Sequence, residues 1–219
     1  MTRAATTPAA ASRPAKQRAY MAQKREETVL SIRQAAMTEF AANGLHGAST
    51  QAIADRAGIP KTRLHYYISS KEDFYIEVLR HIVGVWADLF HAIDMSQGPE
   101  AFFRGYIGRK IHHALDHPEV ARMFTGEVMR GAPLLRAWWD PSQDATRCAA
   151  RVIEGWIDAG LIRRVDPVLL QFNIWGLTQH YALHLTEVRF MLALPDDVTH
   201  DAERIADEVT ELVLRGLRP

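Results

Sequence analysis

The sequence predicts an all-α protein with a small N-terminal helical domain and a larger C-terminal helical domain. Apolar residues recur at three- and four-residue spacing along most of the chain, while no period-2 alternation persists, so we expect no sheet. Proline stands near the expected helix starts and glycine near their ends. With 219 residues, 47% of them hydrophobic, the chain can bury a core unaided. Its single cysteine, Cys148, cannot form an internal disulfide, and nothing in the sequence indicates a cysteine-ligated zinc site.

The N-terminal part is expected to form a basic arm followed by a three-helix domain. Residues 1–22 are rich in Ala, Thr and Pro and contain basic but no acidic side chains, which predicts a disordered arm. Residues 23–70 follow as the helical domain. Its first helix runs from Lys24 and closes at the pair Asn43-Gly44, and its second begins with Ser49 as the N-cap.

The third and fourth helices are marked by turn and capping residues. A tight turn ending at Pro60 predicts a third helix over about 61–67. Ser70 with Asp73 then predicts a capping box that begins the fourth helix. Residues 71–219 form the larger domain. Its further helices are expected at 99–116, 118–130, 142–160, 167–186 and 198–216.

The charge of the chain is zero overall but strongly divided along its length. Residues 1–71 hold 11 Lys and Arg against four Asp and Glu, a net charge of +7, whereas residues 72–219 hold 15 against 22, a net charge of −7. A basic N-terminal part can neutralise the phosphates of a nucleic acid. The alternative is a basic tail that is only solvated. Without a secretory or membrane-spanning apolar run in the sequence, we expect a cytoplasmic protein and no membrane partner.

Residues 49–71 have the length and punctuation of a helix-turn-helix. Gly58 permits the sharp turn, and the apolar residues that hold the helices together are Ile53, Ile59, Leu64 and Ile68. The exposed positions of the second helix then carry donors suited to base edges and phosphates: Lys61, Thr62, Arg63, His65 and Tyr67. Lys71 is expected near the DNA backbone as a point charge for a phosphate. A plain helical hairpin with a solvated face is the alternative.

The stretch GLHGASTQAIADRAGIPKTRLHYYISSKEDFY resembles the DNA-binding region of the TetR family of bacterial transcriptional regulators. The resemblance implies an all-α homodimer, not an enzyme, with a DNA-binding head and a ligand-binding and dimerisation body at 71–219. It implies that the residues proposed above face DNA, that Ser49 and Gln51 lie near phosphates, and that Leu64 and Tyr66 are buried. Pro60 and Ser69 depart from the family pattern, so the base preference does not transfer.

Three further strings, KIHHALDHPEVARMFTGEVMRGAPLL, FNIWGLTQHYA and VLRGLRP, are similar to the RutR or YcdC-like branch of that family. Regulators of this branch sense pyrimidines, chiefly uracil, and control pyrimidine breakdown. The resemblance therefore implies a repressor, without a cofactor, that responds to a pyrimidine and binds a palindromic operator in double-stranded DNA. The same fold with another effector, such as a purine or a lipophilic compound, is the alternative.

One helix face carries residues that suit a small planar ligand. Phe172, Trp175 and Gln179 stand at i, i+3 and i+7, which predicts an aromatic wall ending in an amide. An amide offers a donor and an acceptor, as uracil does. The resemblance implies Trp86 as a second wall, and Lys110 is a plausible donor to a carbonyl oxygen. The alternative is that the tryptophans are ordinary core aromatics.

Histidine pairs give a competing interpretation. His113 with His117, and His180 with His184, have the i, i+4 spacing of zinc ligands. A metal site, or a helical metal-dependent enzyme, is therefore a second hypothesis, although the sequence contains no HExxH.

A homodimer is expected to form through the last helices. The apolar residues predicted at a four-helix seam between subunits are Leu170, Ile174, Leu177, Tyr181, Ile205, Val209, Leu212 and Val213. Twofold symmetry would set two recognition helices about 34–36 Å apart, one turn of DNA.

Overall fold

The computed structural model describes residues 13–91, 95–193 and 201–219, and within them the chain is helical without a strand, which confirms the all-α class. The ten α-helices of these ranges are α1 (Arg13–Gly47), α2 (Thr50–Arg56), α3 (Lys61–Leu64), α4 (Lys71–His91), α5 (Gly98–Asp116), α6 (Pro118–Met129), α7 (Asp140–Asp158), α8 (Pro167–Leu183), α9 (Leu185–Met191) and α10 (Ala202–Leu217). None of these helices combines the length and the apolar character that crossing a bilayer requires.

The first helix is longer than the sequence pattern predicts. It begins at Arg13, so residues 13–22, expected in a disordered arm, are helical, while residues 1–12 lie outside the described residues. Pro14 suits a helix start, and the Ala, Lys, Arg and Gln that follow are good helix formers, so propensity outweighs the lack of an apolar face. The predicted helix end is a kink at Gly44, which has φ +64°.

The caps of the helix-turn-helix form largely as expected. Ser49 Oγ accepts hydrogen bonds from the backbone N–H groups of Gln51 and Ala52 at 3.2 and 3.4 Å, which confirms it as the N-cap of α2. Gly58, at φ +69°, makes the turn between α2 and α3. Ser70 Oγ likewise accepts from the Asp73 N–H at 3.0 Å before α4.

The acidic half of the capping box before α4 differs from the expected form. Asp73 accepts hydrogen bonds from the hydroxyls of Ser70 and Ser69, each at 2.8 Å, and no bond from its carboxylate to the Ser70 N–H is formed among the described residues. The Ser70 hydroxyl and then the Ser69 hydroxyl lower the pKa of the Asp73 carboxyl. The carboxylate therefore ties together the two serines that separate α3 from α4.

The C-terminal helices follow the proline markers with one interruption. Pro99, Pro118, Pro141 and Pro167 all stand in the first turn of a helix. The helix predicted over 167–186 instead breaks at His184, which has φ −108° and ψ 30°, and the chain continues as α9. The last helix begins at Ala202 rather than at 198, and residues 198–200 lie outside the described residues.

Two large apolar cores and a small cluster of three alanines, Ala114, Ala121 and Ala182, hold the described residues together. The first joins α1 to α4 and also takes Val120 and Met123 from α6. The second joins α5, α7, α8 and α10 around Phe103, Trp156 and Ile174. Because α6 packs against α1, the head and the body of the molecule share buried surface.

The predicted dimer seam is largely used inside one subunit, which corrects that expectation. Ile174 is buried, and Leu170, Leu177 and Tyr181 pack against the second core. Ile205, Val209 and Val213 are buried where α10 packs on α5. An amphipathic helix has one apolar stripe, and α5 already covers the stripe of α10. Leu212 is the member of the predicted seam that is exposed, and on α8 the exposed apolar residues are Leu169 and Phe172.

Candidate DNA-binding surface and effector cavity

A single turn of helix, α3, presents the proposed DNA-facing side chains. Leu64 is fully buried in the head, and this anchor sets the orientation of α3. The exposed side chains around it are Lys61, Thr62, Arg63 and His65. Within the described residues none of these four side chains makes a hydrogen bond or an ion pair. The surface therefore offers two fixed positive charges whose donors are unused in the free protein.

The two tyrosines after α3 exchange the positions that the sequence analysis gave them. Tyr66, expected to be buried, is 88% exposed, whereas Tyr67, expected to face DNA, is half-buried against the core of the head. The Tyr67 N–H donates to the Leu64 carbonyl at 2.8 Å, so Tyr67 lies three residues along on the same, inward side as Leu64. Tyr66 thereby joins the exposed surface of α3.

The remaining residues proposed for DNA contact already have partners in the head. Lys71 Nζ donates to the carbonyl oxygens of His46 and Ala48 at 3.2 and 3.0 Å, which leaves one of its three donors. The Gln51 amide donates to Asp55 at 2.8 Å, and Ser49 caps α2. In the free protein Lys71 therefore ties the start of α4 to the end of α1, whereas Gln51 and Ser49 bond within α2.

A cavity lies between α4, α5, α6 and α8. Its lining residues are Trp86, Lys110, His113, Ala114, His117, Val120, Ala121 and Gln179. The cavity measures about 270 Å³ up to its open mouth, but its unfilled centre has room for about one water molecule. A ligand must therefore move side chains of the wall to enter. The structure brings Trp86, Lys110 and Gln179 together here, three of the five residues predicted to bind a ligand.

Phe172 and Trp175, the other two predicted ligand residues, do not line this cavity. Seven residues of helix rise about 10 Å, so Phe172 stands roughly two turns from Gln179 along α8. Phe172 is 49% exposed, and its ring centroid lies 5.2 Å from that of Trp175. Trp175 Nε1 donates to the Tyr106 hydroxyl at 3.1 Å. The shared face of α8 is real, but only its end reaches the cavity.

The cavity holds polar groups that lack partners. Lys110 is 6% exposed, and its Nζ makes no hydrogen bond or ion pair within the described residues; the rings of Trp86 and Tyr106 lie 5.4 and 5.7 Å from it. Burial lowers the pKa of the Lys110 ammonium to about 8. His113 Nε2 is buried without a hydrogen-bond partner. Burial, followed by the charges of His117 and Lys110, lowers the pKa of His113.

The histidine pairs do not assemble a metal centre in the part of the chain that the structure describes. No group of three or more His, Cys, Asp or Glu side chains is close enough there to hold a metal ion. The rings of His113 and His117 are 5.1 Å apart, and those of His180 and His184 are stacked at 4.6 Å. The first pair belongs to the cavity wall, a role that spacing alone did not indicate.

Helix α6 connects the cavity with the head. Near its first turn, Glu119 accepts a hydrogen bond from the Gln34 amide of α1 at 2.9 Å. In its last turn, Glu127 is 1% exposed and accepts from the Tyr75 hydroxyl of α4 at 3.3 Å and from the Leu134 N–H at 2.8 Å. Sequence analysis gave neither carboxylate this role, because nothing in their local pattern marks them as buried or paired across the fold.

The head and the body each match a known family. The family described as "Bacterial regulatory proteins, tetR family" matches residues 32–78, and "YcdC-like protein, C-terminal region" matches residues 79–219. The chain belongs to the TetR family. Its body places this TetR-family chain in the YcdC-like branch, as the sequence strings predicted. It is a transcriptional regulator rather than an enzyme, which sets the metal-dependent enzyme aside.

Individual relatives agree with this assignment. The TetR-family chain is 34% identical over 192 residues to the HTH-type transcriptional regulator RutR of Escherichia coli K12, covering 86% of this chain and 90% of the relative, and equally similar to RutR of Shigella flexneri. A solved transcriptional regulator of Streptomyces coelicolor has a TM-score of 0.68 at 24% identity, covering 88% and 99% of the chains. The ketosteroid regulator KstR2 of Mycobacterium tuberculosis has a TM-score of 0.65 at 19% sequence identity, and the match covers 86% of this chain and 93% of KstR2. The last two show a shared fold.

Proposed function

We propose that this TetR-family regulator is a cytoplasmic repressor that binds a pyrimidine such as uracil and thereby releases a palindromic operator. The genes it controls would serve pyrimidine or nitrogen catabolism. The observation that carries the proposal is the meeting of Trp86, Lys110 and Gln179 at one cavity, in a chain related to RutR. Residues 23–70 would bind DNA, and residues 71–219 would bind the effector and the second subunit.

The three side chains supply complementary chemistry for a flat ring. Trp86 offers an aromatic face for stacking. The Gln179 amide offers a donor and an acceptor, which match the adjacent N–H and C=O groups of a pyrimidine, and Lys110 offers a donor to a carbonyl oxygen. A polar group left unpaired in such a site costs about 1–3 kcal/mol, so rings without those groups should bind poorly.

The route from the cavity to the DNA-facing surface runs through α6. This helix, which follows directly on His117, contributes Val120 and Ala121 to the wall, and it packs on α1 of the head. Because the unfilled centre of the cavity has room for about one water molecule, an effector has to displace part of its wall. A displaced α6 would shift α1 through the Glu119–Gln34 hydrogen bond and α4 through the Glu127–Tyr75 bond. An effector that binds the displaced conformation more tightly than the resting one typically couples two sites by about 1–3 kcal/mol.

Gln179→Ala is expected to abolish the uracil response while leaving DNA affinity unchanged, because Gln179 lines the cavity and is remote in sequence and fold from α3. The measurement is fluorescence anisotropy of a labelled operator fragment, taken from DNA flanking the protein's own coding region, during a uracil titration. Gln143→Ala, an exposed amide on α7, is the matched control and should respond like the wild type. Operator that stays bound to the wild type at saturating concentrations of uracil and of its 6-substituted derivatives would refute pyrimidine sensing.

Phe172→Glu is expected to turn a dimer into a monomer and to weaken operator binding. With the predicted seam largely buried inside the subunit, the exposed apolar residues Leu169 and Phe172 of α8 and Leu212 of α10 are the ones free to meet a second copy. A carboxylate at such a contact would be desolvated without a partner. Light scattering coupled to size exclusion measures the mass. Met129→Glu, on exposed α6 surface, should remain dimeric; a dimeric Phe172→Glu protein would contradict the assignment.

A further inference from the structure

The last turns of α5 and the residue that caps the helix place nitrogen-bearing side chains at the cavity. Lys110, His113 and His117 stand at i, i+3 and i+7, and all three line it. Lys110 is more than nine-tenths buried, and its ammonium has no hydrogen bond or ion pair within the described residues. The Nε2 atom of His113 is also buried and unpartnered. Two independent side chains therefore present unused polar nitrogens to the same space.

Among the residues that the structure describes, no acidic side chain lines the cavity to balance them. Besides these three residues the lining consists of Trp86, Gln179 and three small or apolar residues. The two acids whose charges act on His113, Glu119 and Asp116, do not line the cavity; Glu119 lies 3.7 Å from His117 Nδ1 and accepts from Gln34. Burying an ammonium without a counter-charge is costly, and the aromatic rings beside Lys110 offset only part of that cost. Burial is the main reason that the pKa values of Lys110 and His113 are lowered, which means that their charged forms are destabilised at this site.

We propose that the effector is an anion, a small planar amide that bears a carboxylate, and that Lys110 and His113 bind the carboxylate while Trp86 and Gln179 bind the ring. This inference rests on the proposed sensing of a pyrimidine and deepens it. A neutral carbonyl oxygen can use the Lys110 donor but leaves a positive charge buried. A carboxylate has two acceptor oxygens, neutralises that charge and forms charge-assisted hydrogen bonds, the stronger kind. His113 thereby becomes a specificity-determining residue.

The test compares ligands that differ in charge but hardly in shape. Isothermal titration at pH 7 with uracil-6-carboxylate, its neutral 6-carboxamide and uracil itself separates ring recognition from charge recognition. We expect the carboxylate to bind about tenfold or more tightly than the carboxamide, the size of one added charge-assisted hydrogen bond. The carboxylate should also release operator in the anisotropy assay at correspondingly lower concentration.

Variants on α5 assign the effect to the proposed side chains. His113→Leu should remove most of the carboxylate's advantage over the carboxamide, and Lys110→Arg should preserve it. His112→Leu is the matched control, because His112 sits on the same helix, is only partly buried and pairs with Glu203 outside the cavity. Should a cavity variant fail to fold, a wild-type pH series remains informative. Carboxylate affinity should fall as pH rises through about 8, where Lys110 loses its proton, while carboxamide affinity stays level.

Equal affinities for the carboxylate and the carboxamide, or an advantage unaffected by His113→Leu, would overturn the anionic effector. If uracil still released operator in that case, the proposed pyrimidine sensing would survive the result. Conversely, if none of the three rings bound or released operator, both the sensing function and its anionic form would be refuted.

Discussion

Replacing Lys61 and Arg63 together by alanine is expected to weaken operator binding by about a hundredfold or more. Both side chains are exposed on α3 and unpaired within the described residues, so their donors are available to phosphates and base edges. Each such contact is worth about 1–3 kcal/mol, and each lost phosphate contact reduces the salt slope of binding by about one. Anisotropy titrations at several salt concentrations measure both quantities.

The control for this double variant removes the same charge elsewhere. Arg147→Ala with Arg151→Ala takes two exposed guanidinium groups from α7, in the body of the molecule. This pair should leave operator affinity within about threefold of wild type, because charges far from the duplex are screened beyond about 8–10 Å. Equal losses in the two double variants would mean that general positive charge, and not the α3 surface, binds DNA.

Glu127→Ala is expected to lower the free energy of unfolding by about 2–4 kcal/mol. The fully buried carboxylate accepts from the Tyr75 hydroxyl, the Leu134 N–H and, at 3.2 Å, the guanidinium of Arg130. Alanine leaves a hydroxyl and an N–H without this acceptor, and buried unsatisfied groups cost about 1–3 kcal/mol each. Burial and then the Glu127 charge raise the pKa of Tyr75 to about 12, so the hydroxyl remains a donor at neutral pH.

Urea denaturation measures that loss, and Glu127→Gln provides the matched comparison. The glutamine keeps a carbonyl oxygen for the Leu134 N–H and should lose less than alanine does. If alanine cost under about 0.5 kcal/mol, the buried bonds would contribute nothing net to stability. Because the same carboxylate joins α6 to α4, the alanine variant should also release operator less completely at saturating effector.

Short-range chemistry explains why the head could be predicted from sequence. The Ser49 cap, the Gly58 turn and the first-turn prolines depend on residues within three or four positions of one another, and each forms where expected. The tyrosines show where this reasoning failed. The family resemblance implied a buried Tyr66, although the three-residue spacing from the buried Leu64 favours Tyr67 as the inward ring.

The cavity could be predicted only in part, because its walls come from four helices. Resemblance and residue chemistry found Trp86, Lys110 and Gln179, but a helical face does not reveal which of its ends reaches a cavity, and Phe172 lies at the other end. The histidines were noticed for their zinc-like spacing, whereas their position in the cavity depends on how α5 packs against α6. Such long-range burial has no local sequence pattern.

Two residues of α6 are part of the first core, and this has a consequence for protein engineering. Val120 and Met123 complete a hydrophobic interior that otherwise belongs to α1–α4. A chimaera that joins the DNA-binding head, cut at the end of α4, to the body of another regulator would lack Val120 and Met123. The apolar surface that they cover would be exposed, or a cavity would remain where they pack. A chimaera that exchanges the body between regulators of this design should therefore keep α6 together with the head.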